Sequence, residues 1–203
     1  MIRSFASLRM TEHLRIGLLF GSFNPVHTGH LILAEHFATR TDLAEVWLVV
    51  TPHNPFKAAA DLLPDTERLR LVGLALAGNP RLRAEDIEFG LPRPSYTIAT
   101  LDALRLRHPA HDFVLLMGAD NLPGLSRWQE SARLLAEFDI YVYPRLGTTL
   151  PDLAAFPRVQ VVAAPLLDIS ATYIRDSLRA GRSIRYLVPD AVEVALAPPR
   201  TAA

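Results

Sequence analysis

Cysteine is absent from this sequence of 203 residues, and neither sign of charge is in excess. The first absence excludes disulfide bonds, zinc–thiolate sites and cysteine nucleophiles. Because acidic and basic residues number 21 each, the composition gives no support to a general nucleic-acid binder, which normally carries a net positive charge or a basic face. A single small anionic ligand needs only a few well-placed cations, so that class of ligand stays open.

Apolar runs long enough to span a membrane are also missing. The longest, such as 46–50 and 113–118, fall far short of the roughly 20 residues that a spanning helix needs. The N-terminal residues are basic but lack a signal-peptide cleavage pattern. We therefore expect a cytoplasmic protein without a membrane partner. Residues 1–14 are interpreted as a leader of uncertain order, with Met10 as an alternative start, and residues 15–203 as one domain.

Short apolar runs alternate with longer amphipathic stretches along the chain. This pattern predicts a Rossmann-like, doubly wound α/β fold with a mostly parallel sheet and two C-terminal helices. Ligands of such sheets bind at the carboxyl ends of the strands, near the point where strand order reverses. The segment 145–157 shows this pattern most weakly and is expected to be a loop. The predicted strands are 16–20, 46–50, 82–89, 113–117, 140–143 and 159–163, and the predicted helices are 30–39, 65–77, 95–106, 127–137, 170–180 and 189–197.

The loop after the first predicted strand, GSFNPVHTGH at 21–30, opens directly into a helix. Such a loop presents unpaired backbone N–H groups and the positive end of a helix dipole, both suited to phosphate. Gly21 and Gly29 permit close approach of backbone or ligand. His27 and His30 are three residues apart, so both imidazoles can donate to one bound group. Two histidines also permit a metal site, but the HExxH pattern and a nearby acidic ligand set are missing.

A second helix start lies near the C-terminus, in DISATYIR at 168–175. Ser170 is a good N-cap, and the first-turn amides together with the Thr172 hydroxyl could bind an anion. Arg175 lies one turn further along and can return to the same site. Taken alone, the segment is equally typical of a capped amphipathic helix with a surface arginine.

Together the two segments resemble known signatures. HTGH at 27–30 is similar to the HxGH signature of the nucleotidyltransferase superfamily, and ISATYIR at 169–175 resembles its ISSTxIR signature, with Ala171 replacing a serine. The resemblance implies transfer of a nucleoside monophosphate from ATP or CTP, with the two histidines and the second helix start on the triphosphate. Phe20 departs from the superfamily, because a glycine is common at that position.

Further segments resemble the bacterial nicotinate mononucleotide adenylyltransferases over most of 16–197. They are TPHNPFK at 51–57, PSYT at 94–97, GADN at 118–121, Trp128, YPR at 143–145 and YLVP at 186–189, the last interpreted as structural. Lys57, the only lysine of the chain, falls where the family has a phosphate-contacting lysine. In the family the tryptophan stacks on the pyridine ring, which suits a flat aromatic substrate. Ala99 departs from the family, which has an aspartate there.

The resemblance implies an enzyme that condenses ATP with nicotinate mononucleotide, giving nicotinate adenine dinucleotide and pyrophosphate in NAD biosynthesis. It implies Mg²⁺ bound mainly through the ATP phosphates, without metal ligands from protein side chains. The expected catalytic residues are His27, His30 and Arg175. The expected ATP-binding residues are these three with Gly21, Ser22, Phe23, Arg145, Ser170 and Thr172, and the expected mononucleotide-binding residues are Asn24, Lys57, Tyr96, Thr97, Asp120 and Trp128.

Three alternatives stay open at this point. The chain could be another member of the superfamily, such as a phosphopantetheine adenylyltransferase or a cytidylyltransferase. It could prefer nicotinamide mononucleotide, which differs from the expected substrate by an amide in place of a carboxylate. It could also be a nucleotide sensor that kept the fold without turnover. Oligomeric state is not determined by the sequence.

Overall fold

Six β-strands pair side by side in the computed structural model, which describes residues 13–52, 62–150 and 152–197. The strand order is β3-β2-β1-β4-β5-β6, and each neighbouring pair is parallel. The chain leaves β3 at one edge and re-enters on the other side of β1, so strand order reverses between β1 and β4. The strands are β1 (Arg15–Gly21), β2 (Glu45–Val50), β3 (Leu82–Glu85), β4 (Asp112–Gly118), β5 (Asp139–Tyr143) and β6 (Val159–Val161).

Helices cover both faces of this sheet. Along β4, Val114 and Leu116 pack into one hydrophobic cluster, and Phe113, Leu115 and Met117 pack into a second. Burial on both faces explains why such strands are continuous apolar runs. Helices α1, α2, α5 and α6 contribute to the first cluster, whereas α3 and α4 contribute to the second. The helices are α1 (Thr28–Arg40), α2 (Asp65–Leu76), α3 (Thr97–Arg107), α4 (Ser131–Glu137), α5 (Ala171–Arg179) and α6 (Asp190–Leu196).

The predicted fold class is confirmed, and the described sheet is wholly parallel instead of mostly parallel. Within the described ranges, no helix has the length and apolar character needed to cross a membrane. The proposed leader lies almost entirely outside the described residues, because 1–12 are not among them, and the division into a leader and one domain stays a prediction. The segment 145–157 does contain a short 3₁₀ turn, Leu153–Ala155.

Two predicted elements are wrong in part. The strand expected over 82–89 ends at Glu85, and Ile87–Gly90 forms a 3₁₀ turn in which the Glu85 side chain accepts a hydrogen bond from the Ile87 amide. The helix expected over 127–137 begins only at Ser131, because Glu130 adopts a left-handed φ of 50°. A 3₁₀ helix that was not predicted, Ala119–Arg127, precedes it and includes a proline.

Candidate active site

Two cavities of similar size open side by side at the carboxyl edge of the sheet. The histidine cavity, about 570 Å³, is lined by both signature segments, and the tryptophan cavity, about 540 Å³, is lined by Trp128 and the start of α3. They share three wall residues, Leu19, Phe20 and Tyr143. The cavities therefore meet near the reversal of strand order, where doubly wound sheets bind ligands, and each has an ordinary volume for a ligand pocket.

The two histidines of the loop are held as a stacked pair. Their ring centroids are 3.6 Å apart with an interplanar angle of 25°. His27 is the N-cap of α1, and its backbone N–H donates to Nδ1 of His30 at 3.2 Å. A Cβ at Gly29 would lie 3.1 Å from Nδ1 of His27, so the glycine leaves room for the His27 ring. Because Nδ1 of His30 accepts, the proton of a neutral His30 ring is on Nε2, which is then a donor.

Burial sets the charge of His27. Its desolvation, with a smaller contribution from the positive charge of Arg145, lowers the pKa of the His27 imidazole to about 4. This imidazole is therefore neutral at pH 7 and can offer a hydrogen bond but not a positive charge. Among the described residues that line this cavity, Arg145 and Arg175 supply positive charge for an anionic ligand.

Arg175 joins the second signature to the first. Its Nη1 donates to the backbone carbonyl of Asn24 at 2.8 Å, and its Nη2 donates to Oγ1 of Thr172 at 3.2 Å. Ser170 caps α5 by accepting from the Tyr173 amide at 3.2 Å, which confirms the predicted cap. The first turn of α5 lines the histidine cavity, so this helix presents its positive end and a guanidinium to one space.

A second arginine, Arg145, lies where the two cavities meet. Nε of Arg145, on the histidine side, is 3.7 Å from Oδ1 of Asp120, which lines the tryptophan cavity. A Cβ on Gly118 would collide with the Asp120 carboxylate and lie 3.1 Å from Cγ of Arg145. The absence of a side chain at Gly118 therefore allows the two charged groups to approach across the junction.

The tryptophan cavity combines aromatic and polar walls. Tyr96, Thr97, Asp120 and the half-buried Trp128 line it, as do several residues that sequence reasoning missed. Glu88 and Met117 were missed altogether, whereas Thr51 and Ser95 belong to the segments 51–57 and 94–97 but were assigned no role.

Glu88 is the most informative of the missed residues. It is 2% exposed, and Oε1 accepts from the Thr100 hydroxyl at 2.7 Å. Burial raises the pKa of this carboxyl, while hydrogen bonds from nearby hydroxyls oppose the shift. The sequence signal was an acid between Ile87 and Phe89, but interpreting the segment as a strand concealed it.

Most of the predicted site residues line one of the two cavities. All predicted ATP-binding residues line the histidine cavity, and four of the predicted mononucleotide-binding residues line the tryptophan cavity. Asn24 differs, because it lines the histidine cavity and its Oδ1 accepts from the Leu63 amide at 3.0 Å. Lys57 lies outside the described residues. Of the two departures, Phe20 lines both cavities and the exposed Ala99 lines neither. The roles of the site residues stay predictions.

This fold, with a histidine pair at the first helix and an arginine-bearing helix start across the same cavity, defines a protein of the nucleotidyltransferase class. Residues 18–177 match the model of the cytidylyltransferase-like family. The chain belongs to that family and, within it, to the nicotinate-nucleotide adenylyltransferases, as its curated relatives indicate.

These relatives carry the name probable nicotinate-nucleotide adenylyltransferase, and two of them illustrate the similarity. The protein of Cytophaga hutchinsonii is 49% identical over 89% of this chain and 94% of its own length. That of Bacteroides fragilis is 49% identical over 88% and 89%. Among solved structures, the Plasmodium falciparum nicotinic acid mononucleotide adenylyltransferase complexed with NaAD has a TM-score of 0.74 at 18% identity, covering 90% of this chain and 94% of that one. This last likeness concerns the fold alone.

Proposed function

We propose that this chain is the adenylyltransferase that condenses ATP with nicotinate mononucleotide, giving nicotinate adenine dinucleotide and pyrophosphate for NAD biosynthesis. The observation that carries the proposal is the pair of adjoining cavities, one with histidines and arginines and one with aromatic side chains, which share Leu19, Phe20 and Tyr143. Such a pair suits two reactants that meet at their phosphates. The names of the relatives that match most of this chain point to the same reaction.

The chemistry requires alignment more than a protein nucleophile. A phosphate oxygen of the mononucleotide attacks the α-phosphorus of ATP, a new P–O bond forms, and the bond from that phosphorus to the β-phosphate oxygen breaks as pyrophosphate leaves. The attacking phosphate is already ionised at neutral pH, so no general base is needed. Both reactants are polyanions, and the protein lowers the barrier by placing them in line and by offering donors and cations to the developing charge.

The described residues divide this task between them. The neutral His27 imidazole and Nε2 of His30 offer N–H donors to the triphosphate, while Arg145 and Arg175 of the same cavity offer positive charge. The amides of the first turn of α5 add to this set. In the other cavity Trp128 stacks on the pyridine ring.

We propose that Mg²⁺ enters with ATP and is held mainly by phosphate oxygens. Among the described residues that line the histidine cavity, Asp168 is the single carboxylate, and the other polar groups are histidines, arginines, hydroxyls and amides. This donor set suits a cation that keeps most of its ligands from phosphate and water. When bound, the ion would neutralise part of the charge on the triphosphate. The expected cytoplasmic location stays a prediction.

The experiment that tests the function measures pyrophosphate release with Mg-ATP and four acceptors in turn: nicotinate mononucleotide, nicotinamide mononucleotide, phosphopantetheine and a sugar phosphate. We expect fast release with nicotinate mononucleotide alone. Release with another acceptor would keep adenylyl transfer and overturn the assignment of the tryptophan cavity. ATP binding without release for any acceptor would support a nucleotide sensor instead.

A further inference from the structure

Arg68 lies on the first turn of α2, and its side chain is 0% exposed. A guanidinium group has five N–H bonds in a fixed planar arrangement. Five acceptors surround this one, so each N–H bond has a partner. They are Leu63 O at 3.1 Å from Nε, Ser22 O at 2.6 Å and Thr51 O at 2.8 Å from Nη1, and Pro52 O at 3.3 Å and Asp65 Oδ1 at 2.6 Å from Nη2.

The two acceptors of Nη1 belong to different walls of the site. Ser22 lines the histidine cavity, and Thr51 lines the tryptophan cavity. Both are held through their backbone carbonyls by one nitrogen atom of Arg68. The spacing between the loop after β1 and the carboxyl end of β2 is therefore tied to a single rigid group.

The same contact orients a strained part of the loop. Phe23 has a φ of 45°, in the left-handed region that a bulky side chain rarely adopts. Its peptide bond to Ser22 is trans, so the Phe23 N–H is directed opposite to the Ser22 carbonyl that Arg68 holds. Fixing that carbonyl fixes the direction of the amide. The segment before α2 makes a second link to the loop, because the Leu63 amide donates to Oδ1 of Asn24 at 3.0 Å.

The energetics favour a specific use of this arginine. Burying a cation is unfavourable unless it is paired and hydrogen-bonded, and an apolar side chain often fills such a position at no loss of stability. Here Asp65 balances the charge, and it also pairs with Arg93 at 2.7 Å. Lysine, with three N–H donors, could not satisfy the five acceptors. The position therefore requires directed donors in addition to volume and charge.

We propose that Arg68 is a positioning residue for adenylyl transfer. It touches neither substrate, and it holds the loop of the histidine cavity and the wall of the tryptophan cavity at the separation that brings the two phosphates into line. The inference rests on the proposed function, because alignment has meaning only where two reactants meet.

The test compares Arg68→Lys and Arg68→Met with Arg70→Met as the matched control. Arg70 is on the same helix, is exposed, and pairs with Glu67. The measurements are kcat, the calorimetric Kd of ATP and of nicotinate mononucleotide separately, and Tm. We expect both Arg68 variants to lose roughly 100-fold in kcat, as a misplacement of about 1 Å can cause, while each separate Kd changes far less. The control should keep the wild-type kcat.

Wild-type kcat in an Arg68 variant, measured well below its Tm, would overturn the inference and leave the proposed function intact. A loss confined to the Kd of ATP, with kcat unchanged, would also overturn it, because it assigns Arg68 to binding. If the lysine variant does not fold, the methionine variant carries the test, since it buries no cation and Asp65 keeps its ion pair with Arg93. Absence of turnover in the wild-type protein would overturn the proposed function, and the inference with it.

Discussion

The backbone N–H of His27 donates to Nδ1 of His30 at 3.2 Å, while the two rings stack with centroids 3.6 Å apart. This contact occupies one nitrogen of the His30 ring and leaves Nε2 as its donor. The backbone of His27 thus orients the imidazole of His30. The spacing of the two histidines in the sequence therefore determines which ring nitrogen of His30 can meet a ligand.

Substitutions at His30 distinguish the roles of its two ring nitrogens. An asparagine places its amide near the position of Nδ1, and a glutamine reaches nearer to that of Nε2. We expect His30→Ala and His30→Asn to lose about 100-fold or more in kcat, as the loss of a transition-state donor does, without loss of fold. His30→Gln should keep clearly more activity. Steady-state kinetics with circular dichroism checks this, and a near-normal rate for His30→Ala would remove the phosphate-contact role.

Removal of the Trp128 ring should weaken the binding of nicotinate mononucleotide and leave that of ATP unchanged. Trp128→Ala is expected to raise the KM for nicotinate mononucleotide by roughly ten-fold, because stacking and burial of an aromatic ring contribute on the order of 1–2 kcal/mol. The KM for ATP should hardly change, because Trp128 does not line the histidine cavity. Trp128→Phe keeps a ring and is the matched control. Its KM for nicotinate mononucleotide should lie between those of the wild type and Trp128→Ala. A raised KM for ATP with an unchanged mononucleotide KM would contradict stacking.

The sequence was sufficient for the fold because the strands buried on both faces are continuous apolar runs, separated by helices of the right length. It also located the two helix starts, since their capping and glycine chemistry is local. Glu88 was missed for a different reason. Its burial depends on the 3₁₀ turn Ile87–Gly90 and on Thr100 from α3, and neither contact is visible in the alternation of apolar and polar residues.

Arg68 shows the same limit more clearly. Glu67, Arg68 and Arg70 lie within four residues of one helix, and in the sequence they resemble a solvated charged face. In the fold, Arg68 is fully buried and Arg70 is exposed. The difference comes from backbone carbonyls of irregular segments up to 46 positions away in sequence, which no local pattern encodes. Asn24 is a similar case, because its side chain is directed by a contact to Leu63.

Neutralising Glu88 should stabilise the protein at alkaline pH. Because burial raises the pKa of its carboxyl, the folded state retains the proton more strongly than the unfolded chain, and stability falls as pH rises above the unfolded value. Glu88→Gln should therefore have a higher Tm than the wild type at pH 8, with a difference that shrinks toward pH 4.5. Glutamine still accepts from Thr100.

Glu85→Gln is the matched control for this comparison. Glu85 is also buried but pairs with Arg83 at 3.1 Å and Arg107 at 3.2 Å. Loss of its negative charge should therefore destabilise the protein. Differential scanning fluorimetry across this pH range measures both variants. A lower Tm for Glu88→Gln at pH 8 would mean that the ionised carboxylate is favoured where it lies.

Acidification should destabilise the protein because the buried imidazole of His27 has a lowered pKa. Its pKa of about 4 in the folded protein lies below the ordinary value of 6.5, so the unfolded chain takes up the proton first as pH falls. Stability that is fully present above pH 6.5 should be lost progressively between about pH 6.5 and pH 4, by at most about 3 kcal/mol for a shift of this size. Urea unfolding at several pH values measures it.

His27→Asn isolates this contribution from the other titrating groups. The variant has no imidazole to protonate at position 27, so its stability should fall less steeply over the same interval. The free energy of unfolding of the wild type should therefore decrease relative to that of the variant as pH decreases. ATP should oppose the loss, because an anion beside the ring favours the imidazolium form. Parallel curves for the two proteins would show that His27 titrates alike in the folded and unfolded chain, and its role as a neutral donor would then fail.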